Sequence, residues 1–349
     1  MTWFGPRLDP DHADLAAMLE SLTSKDVVLE DDPTSIRRLV AELAAVGVWT
    51  LGTTETSGGG GADDTMTCVA LERIARAWPA LAWASVQVHA AIDVLAAAGK
   101  EASLVEDLHH GRRAVAVVAA DAAHVDLAWD GDVLRGTVSR VDAAHERPHL
   151  LVLVGAGTAL LIRPDDLDVQ PVSRTGLAGA LTRSVTVAAD RTDVVLLDGL
   201  DTSAARARLL RGAAAAAAGI AGAAADGAGR YASERRQFGG PLTEIPMVRQ
   251  TLLDQVNGAT SAIAVAWAAG SESASHAAAR RACDDAVDVA ASALQSHGGY
   301  GYLSEYAAER HLRDAISLRA AAAIPSSSIR AAAELVGASP DTHPLETNL

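Results

Sequence analysis

The stretch Gln295-Ser-His-Gly298-Gly299-Tyr-Gly301-Tyr-Leu-Ser-Glu305-Tyr-Ala-Ala-Glu-Arg310-His-Leu-Arg313-Asp314-Ala315 decides how the chain is read. A helical pattern runs into Gly298, and glycines at 298, 299 and 301 break it. Glycine at such a point is the usual helix C-cap, because it enters the left-handed region without steric cost. The missing Cβ also lets a phosphate come close to the backbone, with the Gln295 amide beside it. The residues by themselves admit both readings.

A second stretch lies upstream, Tyr231-Ala-Ser-Glu-Arg235-Arg-Gln-Phe238-Gly239-Gly-Pro-Leu. Arg235 stands where a long helix ends, and its planar guanidinium can either grip a pyrophosphate or bond the last carbonyls of its own helix. Phe238 is one of two phenylalanines in the chain. It can stack on an adenine or simply plug the turn.

Working outward, the pattern between 203 and 336 predicts long helices over 203–234, 245–270, 272–296 and 304–336, an antiparallel bundle of four. Ala213 to Ala218, with Gly219, Gly222, Gly227 and Gly229, makes the first of these slim. It is expected at the centre of the bundle or of an oligomer interface. Upstream, short β-branched runs at Ala114–Val118, Val133–Val138, Leu150–Val154, Ala159–Arg163 and Ser184–Val187 predict a small antiparallel β-domain over 113–192. Residues 1–112 read as helices over Asp11–Ser24, Pro33–Val46, Asp63–Ala77, Ala80–Ala98 and Lys100–His110. The fold class is therefore mainly α with an inserted β-domain, and 338–349 read as a loose tail.

Composition bounds the function. The chain has 349 residues, enough for two or three cooperating domains, and its 49% apolar content excludes wholesale disorder. A formal charge of −15 argues against a nucleic-acid partner. Cys68 and Cys283 form no disulfide framework, and both are expected to be buried small hydrophobes in a reducing cytoplasm. The N-terminus lacks a secretory pattern, and the low-polarity run Gly212–Ala225 is shorter than the roughly 20 residues that span a bilayer, so neither export nor a membrane is expected. The run Ser57-Gly58-Gly59-Gly60-Gly61 is followed by no phosphate-loop or Rossmann spacing and reads as a flexible structural loop. No metal site is expected.

The two quoted stretches resemble signatures of the acyl-CoA dehydrogenase family, Arg-x-x-Phe-Gly-x-Pro-Leu/Ile and Gln-x-x-Gly-Gly-x-Gly-Tyr followed by Glu-Tyr and Arg-Asp-Ala. The domain order matches over essentially the whole chain. The resemblance implies an N-terminal helical domain, a middle β-domain, a C-terminal bundle and FAD as cofactor. It also implies that Arg235, Gln237, Phe238, Gln295, Gly298 and Gly299 reach across to the pyrophosphate and adenosine of a flavin held by a neighbouring subunit.

Other family elements are missing. Where a Gly-Ser-Asp-bearing stretch begins the family's β-domain, the chain has Ala119-Ala-Asp121-Ala-Ala-His124-Val-Asp126, and Arg140-Val-Asp142 replaces a Trp-Ile-Thr flavin wall. His124 is read as a surface-loop residue. Dehydrogenation needs a carboxylate at the α-carbon, one whose pKa burial can raise toward the working pH. The family's two addresses for it fall at Ala322 and Leu209.

The features for supporting a neighbour's FAD are thus present, and those for holding a flavin and doing the chemistry are not. This resembles the base-lacking subunit of the heteromeric α2β2 enzymes known from actinobacterial sterol side-chain breakdown. The implied partners are a related acyl-CoA dehydrogenase subunit, an acyl-CoA substrate and electron-transfer flavoprotein. Two alternatives remain: a homotetramer using another carboxylate such as Asp201 or Glu305, and a non-catalytic scaffold of the same fold.

Overall fold

The computed structural model describes residues 2–24, 28–337 and 345. Aspartates set the first helices: Asp9, Asp32 and Asp63 each accept backbone N–H bonds at the start of α1 (Pro10–Thr23), α2 (Pro33–Ala45) and α3 (Asp64–Ala77). Proline opens α1 and α2, where its missing N–H costs nothing. The helical N-terminal region is completed by α4 (Pro79–Ala98) and α5 (Ala102–His109). Length and composition alone would let α4 cross a membrane, but 83% of its apolar window is buried inside the protein.

The middle region holds β1 (Val115–Ala119), β2 (Val125–Asp130), β3 (Val133–Val141), β4 (His149–Val154), β5 (Thr158–Ile162), β6 (Leu167–Pro171), β7 (Arg183–Asp190) and β8 (Val195–Leu197). They form two four-stranded sheets, β1-β4-β5-β8 and β2-β3-β7-β6, whose apolar faces enclose a shared core. Pairing is antiparallel except between β1 and β4, which run parallel. The β-domain is thus antiparallel, as expected, apart from this one pair. Strands β2, β6 and β8 are absent from the sequence reading: β2 and β6 alternate apolar residues with exposed Asp and Gln, and β8 has three residues.

The C-terminal region begins with α6 (Thr202–Glu234), followed by a hairpin of β9 (Arg236–Gln237) and β10 (Gly240–Pro241), then α7 (Pro246–Ala268) and α8 (Glu272–His297). The expected fourth helix is two, α9 (Ala308–Ala321) and α10 (Ile324–Leu335). Pro325 has no N–H to donate to the previous turn, so α9 cannot run on through it; the chain breaks with Ala323 left-handed at φ 50°, and Pro325 sits in the first turn of α10. Of the tail 338–349, only Leu345 lies within the described residues, and it is fully buried in the β-domain core rather than loose.

Helix α6 is central: α3, α4, α7, α8 and α9 all pack on it. Every residue from Gly212 to Gly222 is buried. A Cβ at Gly212 would lie 2.4 Å from Val86, and one at Gly219 would lie 2.4 Å from the Glu72 carbonyl, so glycine permits the close approach of α4 and α3. Both cysteines are buried. The glycine loop is not slack. Gly59 N–H donates to Thr54 O (3.0 Å), Gly61 N–H to Thr53 O (2.8 Å), and the His109 ring bonds Ser57 O (2.7 Å).

His89 on α4 is buried, with Nδ1–H donating to Ser85 O (2.7 Å) and Nε2 accepting from Gly52 N–H (3.0 Å). Both nitrogens are satisfied in the neutral ring, and burial pushes its pKa down to about 4. The folded pKa lies below the unfolded one, so the stabilisation is complete above about pH 6.5 and fades as pH falls toward 4, by about 1.4 kcal/mol per pH unit inside that window. Urea unfolding as a function of pH is expected to show this loss in the native chain and a shallower slope in His89→Gln. Equal slopes would show that the ring does not carry it.

Candidate functional site

At one end of the bundle the two quoted stretches meet. Arg235 closes α6, its N–H donating to Tyr231 O (2.8 Å), and its guanidinium lies over the Tyr300 ring at 4.7 Å. Tyr300 belongs to the turn Gly298–Tyr302 that follows α8. Ring contacts of Tyr231 with His297 (4.5 Å) and Tyr306 (5.5 Å) fasten the two helix ends together. The guanidinium makes no bond to its own helix carbonyls among the described residues, so the simple helix-end role is not realised.

The β9–β10 hairpin presents Gln237 and Phe238 outward. Phe238 is 91% exposed and left-handed at φ 54°, a conformation that costs a non-glycine residue about 1–2 kcal/mol. Gln295, Gly298 and Gly299 border a recess of about 340 Å³ with Tyr302 and Leu312. Gly298 needs glycine for its φ of 56°, whereas a Cβ at Gly299 would meet nothing within 4 Å. Open backbone, an amide and an arginine at one end suit a phosphate approaching from outside, and on this ground the pyrophosphate and adenosine of FAD fit here.

The other half of a flavin site does not fit. Leu209 and Ala322, the two base addresses, line the same cavity, which measures only about 60 Å³. Organic ligands need several hundred Å³. The one carboxylate on its wall, Asp121, is held by Arg330 Nη1 at 2.8 and 2.7 Å. Helix α10 closes over the cavity, with Ser326 Oγ accepting from Ala123 N–H (3.0 Å). His124 is no surface residue: it is half-buried on this wall, and burial, then Arg140, push its pKa down.

The Arg140–Asp142 pair has a structural task. Arg140 Nε donates to the buried Asp142 carboxylate (2.5 Å) and Nη2 to Ser317 O on α9 (3.1 Å), while Thr182 also donates to Asp142. Asp314 accepts from Leu177 N–H (2.6 Å), and burial pushes its pKa up. These bonds clamp the β-domain to α9. Asp201 caps α6 through Ser203 and Ala204, and Glu305 is exposed on another groove, so neither borders the cavity. The Asp121–Arg330 latch and the Tyr300 platform were not legible beforehand, since their partners are remote in sequence and follow no spacing rule.

The architecture and these motifs coincide with a known class of flavoenzyme. Two acyl-CoA dehydrogenase domain models match, the N-terminal over residues 10–104 and the C-terminal over 198–322. The chain belongs to the acyl-CoA dehydrogenase family, whose cofactor is FAD. It is 37% identical over 114 residues to the human mitochondrial short-chain specific acyl-CoA dehydrogenase, a match covering 30% of this chain and 27% of that protein. The matched stretch thus spans under a third of such relatives. The fold extends much further: glutaryl-CoA dehydrogenase from Mycobacterium smegmatis superposes with a TM-score of 0.80 at 15% identity, covering 96% of each chain. Butyryl-CoA dehydrogenase from Megasphaera elsdenii gives 0.74 at 20% identity, covering 96% of this chain and 100% of that one.

Removing Asp142 leaves Arg140 and Thr182 without their acceptor. Asp142→Ala is expected to lower the unfolding free energy by about 2–4 kcal/mol in urea titrations, and Asp142→Asn by less, because the amide oxygen still accepts. A loss within about 0.5 kcal/mol for the alanine variant would remove the clamp from the account.

Proposed function

We propose that this chain is the non-catalytic member of a heteromeric acyl-CoA dehydrogenase, completing an FAD site whose flavin-holding half and catalytic base belong to a related partner subunit. The carrying observation is the contrast between the two ends of α6. At one end Arg235, Phe238, Gln295 and the glycines are assembled beside a recess of about 340 Å³; at the other, Leu209 and Ala322 share a cavity of about 60 Å³ whose one wall carboxylate is engaged by Arg330. Bound FAD supplies the two-electron acceptor for dehydrogenation of an acyl-CoA thioester at its α,β carbons, with electron-transfer flavoprotein downstream.

The residues of this chain bind and orient. Arg235 offers a planar fork to the pyrophosphate, already held in place by Tyr300. Phe238 offers its exposed ring to the adenine, with Gln237 beside it. Gln295 donates from its amide, and Gly298 and Gly299 let phosphate oxygens reach backbone N–H groups. An α-proton finds no acceptor at Leu209 or Ala322, so the carboxylate that takes it is the partner's.

The purified chain alone is expected to be colourless and without acyl-CoA dehydrogenase activity, and the chain co-expressed with its partner to carry flavin. Yellow, active protein from this chain alone would point to a homotetramer, and no flavin in either preparation to a scaffold. Within the heteromer, Arg235→Ala is expected to weaken FAD binding by about 2–4 kcal/mol, with partial recovery in Arg235→Lys, which keeps charge but not the fork. Flavin per heterodimer after gel filtration measures both. Full flavin in the alanine variant would end the role given to Arg235.

A further inference from the structure

A groove of about 1000 Å³ has no part in the flavin reading. It lies between the end of α1, the end of α3, the second half of α6 and the start of α9. Arg235, Phe238, Gln295 and Gly298 do not line it. Its charged wall groups are Arg76, Asp226, Arg230, Glu234, Glu305 and Arg310, with His297 and His311. Arg76 and Asp226 cancel each other: Arg76 Nη1 donates to Asp226 at 2.6 Å, and the rest of its guanidinium is taken by Glu72 and Thr2 O. Glu234 and Glu305 are exposed to solvent.

Arg230 is likewise exposed, and Arg310 is half-buried four residues before Asp314, whose charge it favours. Neither the Arg230 nor the Arg310 side chain makes a hydrogen bond or ion pair with a described residue. Burial above all, with the nearby Arg310 and Arg76 guanidinium groups, pushes the His311 pKa down to about 3. His297 already spends Nδ1–H on Ala293 O (2.7 Å). The uncharged wall mixes the small residues Ala223, Ala224, Ala307 and Ala308 with Tyr231 and Tyr306 and a polar edge of Thr and Ser, and at Gly227 a Cβ would meet nothing within 4 Å. Two guanidinium forks without a hydrogen bond to a described residue, and a space of nucleotide size between them and small side chains, suit a phosphate ester with an organic body.

We propose that this groove binds a phosphate-bearing organic ligand, its anion held by Arg230 and Arg310 and its organic part lying along the alanine wall of α6 and α9. The site is separate from the shared flavin position and stands whether or not that reading does. Calorimetric titration of the purified chain with ADP, inorganic pyrophosphate and succinate tests it. ADP is expected to bind, pyrophosphate more weakly for want of the organic contact, and succinate weakest. Arg310→Gln is expected to weaken ADP binding roughly 10- to 100-fold, the loss of a charge-assisted contact.

Gly227→Leu guards against a mere folding defect, since its side chain enters open space and improves helix propensity; it is expected to block ADP while circular dichroism stays native. The His311 ring, followed by NMR, is expected to titrate at higher pH with ADP present, because an anion offsets the surrounding cations. No ADP binding, or unchanged binding in Gly227→Leu, overturns the proposal. So does binding that vanishes in Arg235→Ala but persists in Arg310→Gln and Gly227→Leu, which would place ADP at the hairpin instead. Pyrophosphate binding as tightly as ADP overturns the organic part.

Discussion

The close approach of α3 and α4 to the alanine and glycine run of α6 governs the rest of the structure. Because nothing on Gly212 or Gly219 stands between the helices, Val86 and the Glu72 carbonyl sit against the α6 backbone. Helix–helix distance follows from the side chains at the contact, so small residues draw the helices together. This seam holds the N-terminal region to the C-terminal bundle. Since α6 runs 33 residues, the same seam fixes its two ends, and with them the β9–β10 hairpin and the small cavity at Leu209. A side chain of ordinary size at Gly219 would move both.

Much of this was legible in the sequence, for local reasons. Asp9, Asp32 and Asp63 followed by helical patterns give helix starts that the structure reproduces within a residue or so, because the cap bonds are made between neighbours in sequence. The slim character of α6 and its central place followed from alanine and glycine alone. What failed depended on context. Strand β2 alternates Val125, Leu127 and Trp129 with Asp126, Ala128 and Asp130, a pattern visible afterwards but weak in a short segment holding two Asp. The break at Ala323 was written in Pro325, yet the apolar spacing of 304–336 reads straight through it.

The candidate site divided along the same line. Arg235, Phe238, Gln295, Gly298 and Gly299 stood out as two short motifs, and the structure brings them to one end of the bundle. No spacing rule joins Asp121 to Arg330, so the latch that closes α10 over Leu209 and Ala322 needed coordinates. His124 was misplaced for the same reason, since its burial comes from elements far along the chain. Within the family fold, the clamps of Arg140, Asp142 and Asp314 take up positions beside a cavity too small for a ring system.

Phe238 carries one more consequence. An aromatic ring 91% open to water on the tip of a two-residue-stranded hairpin is an adhesive point on any copy of the chain that has not found its counterpart. Where two chains complete one another, the ring is covered only when both are made in step. Surplus copies would self-associate or be recognised by quality-control machinery that reads exposed apolar surface. In the heteromer proposed above, the geometry of one turn would set a stoichiometric demand on synthesis, a constraint that acts on the cell's protein inventory rather than on the fold.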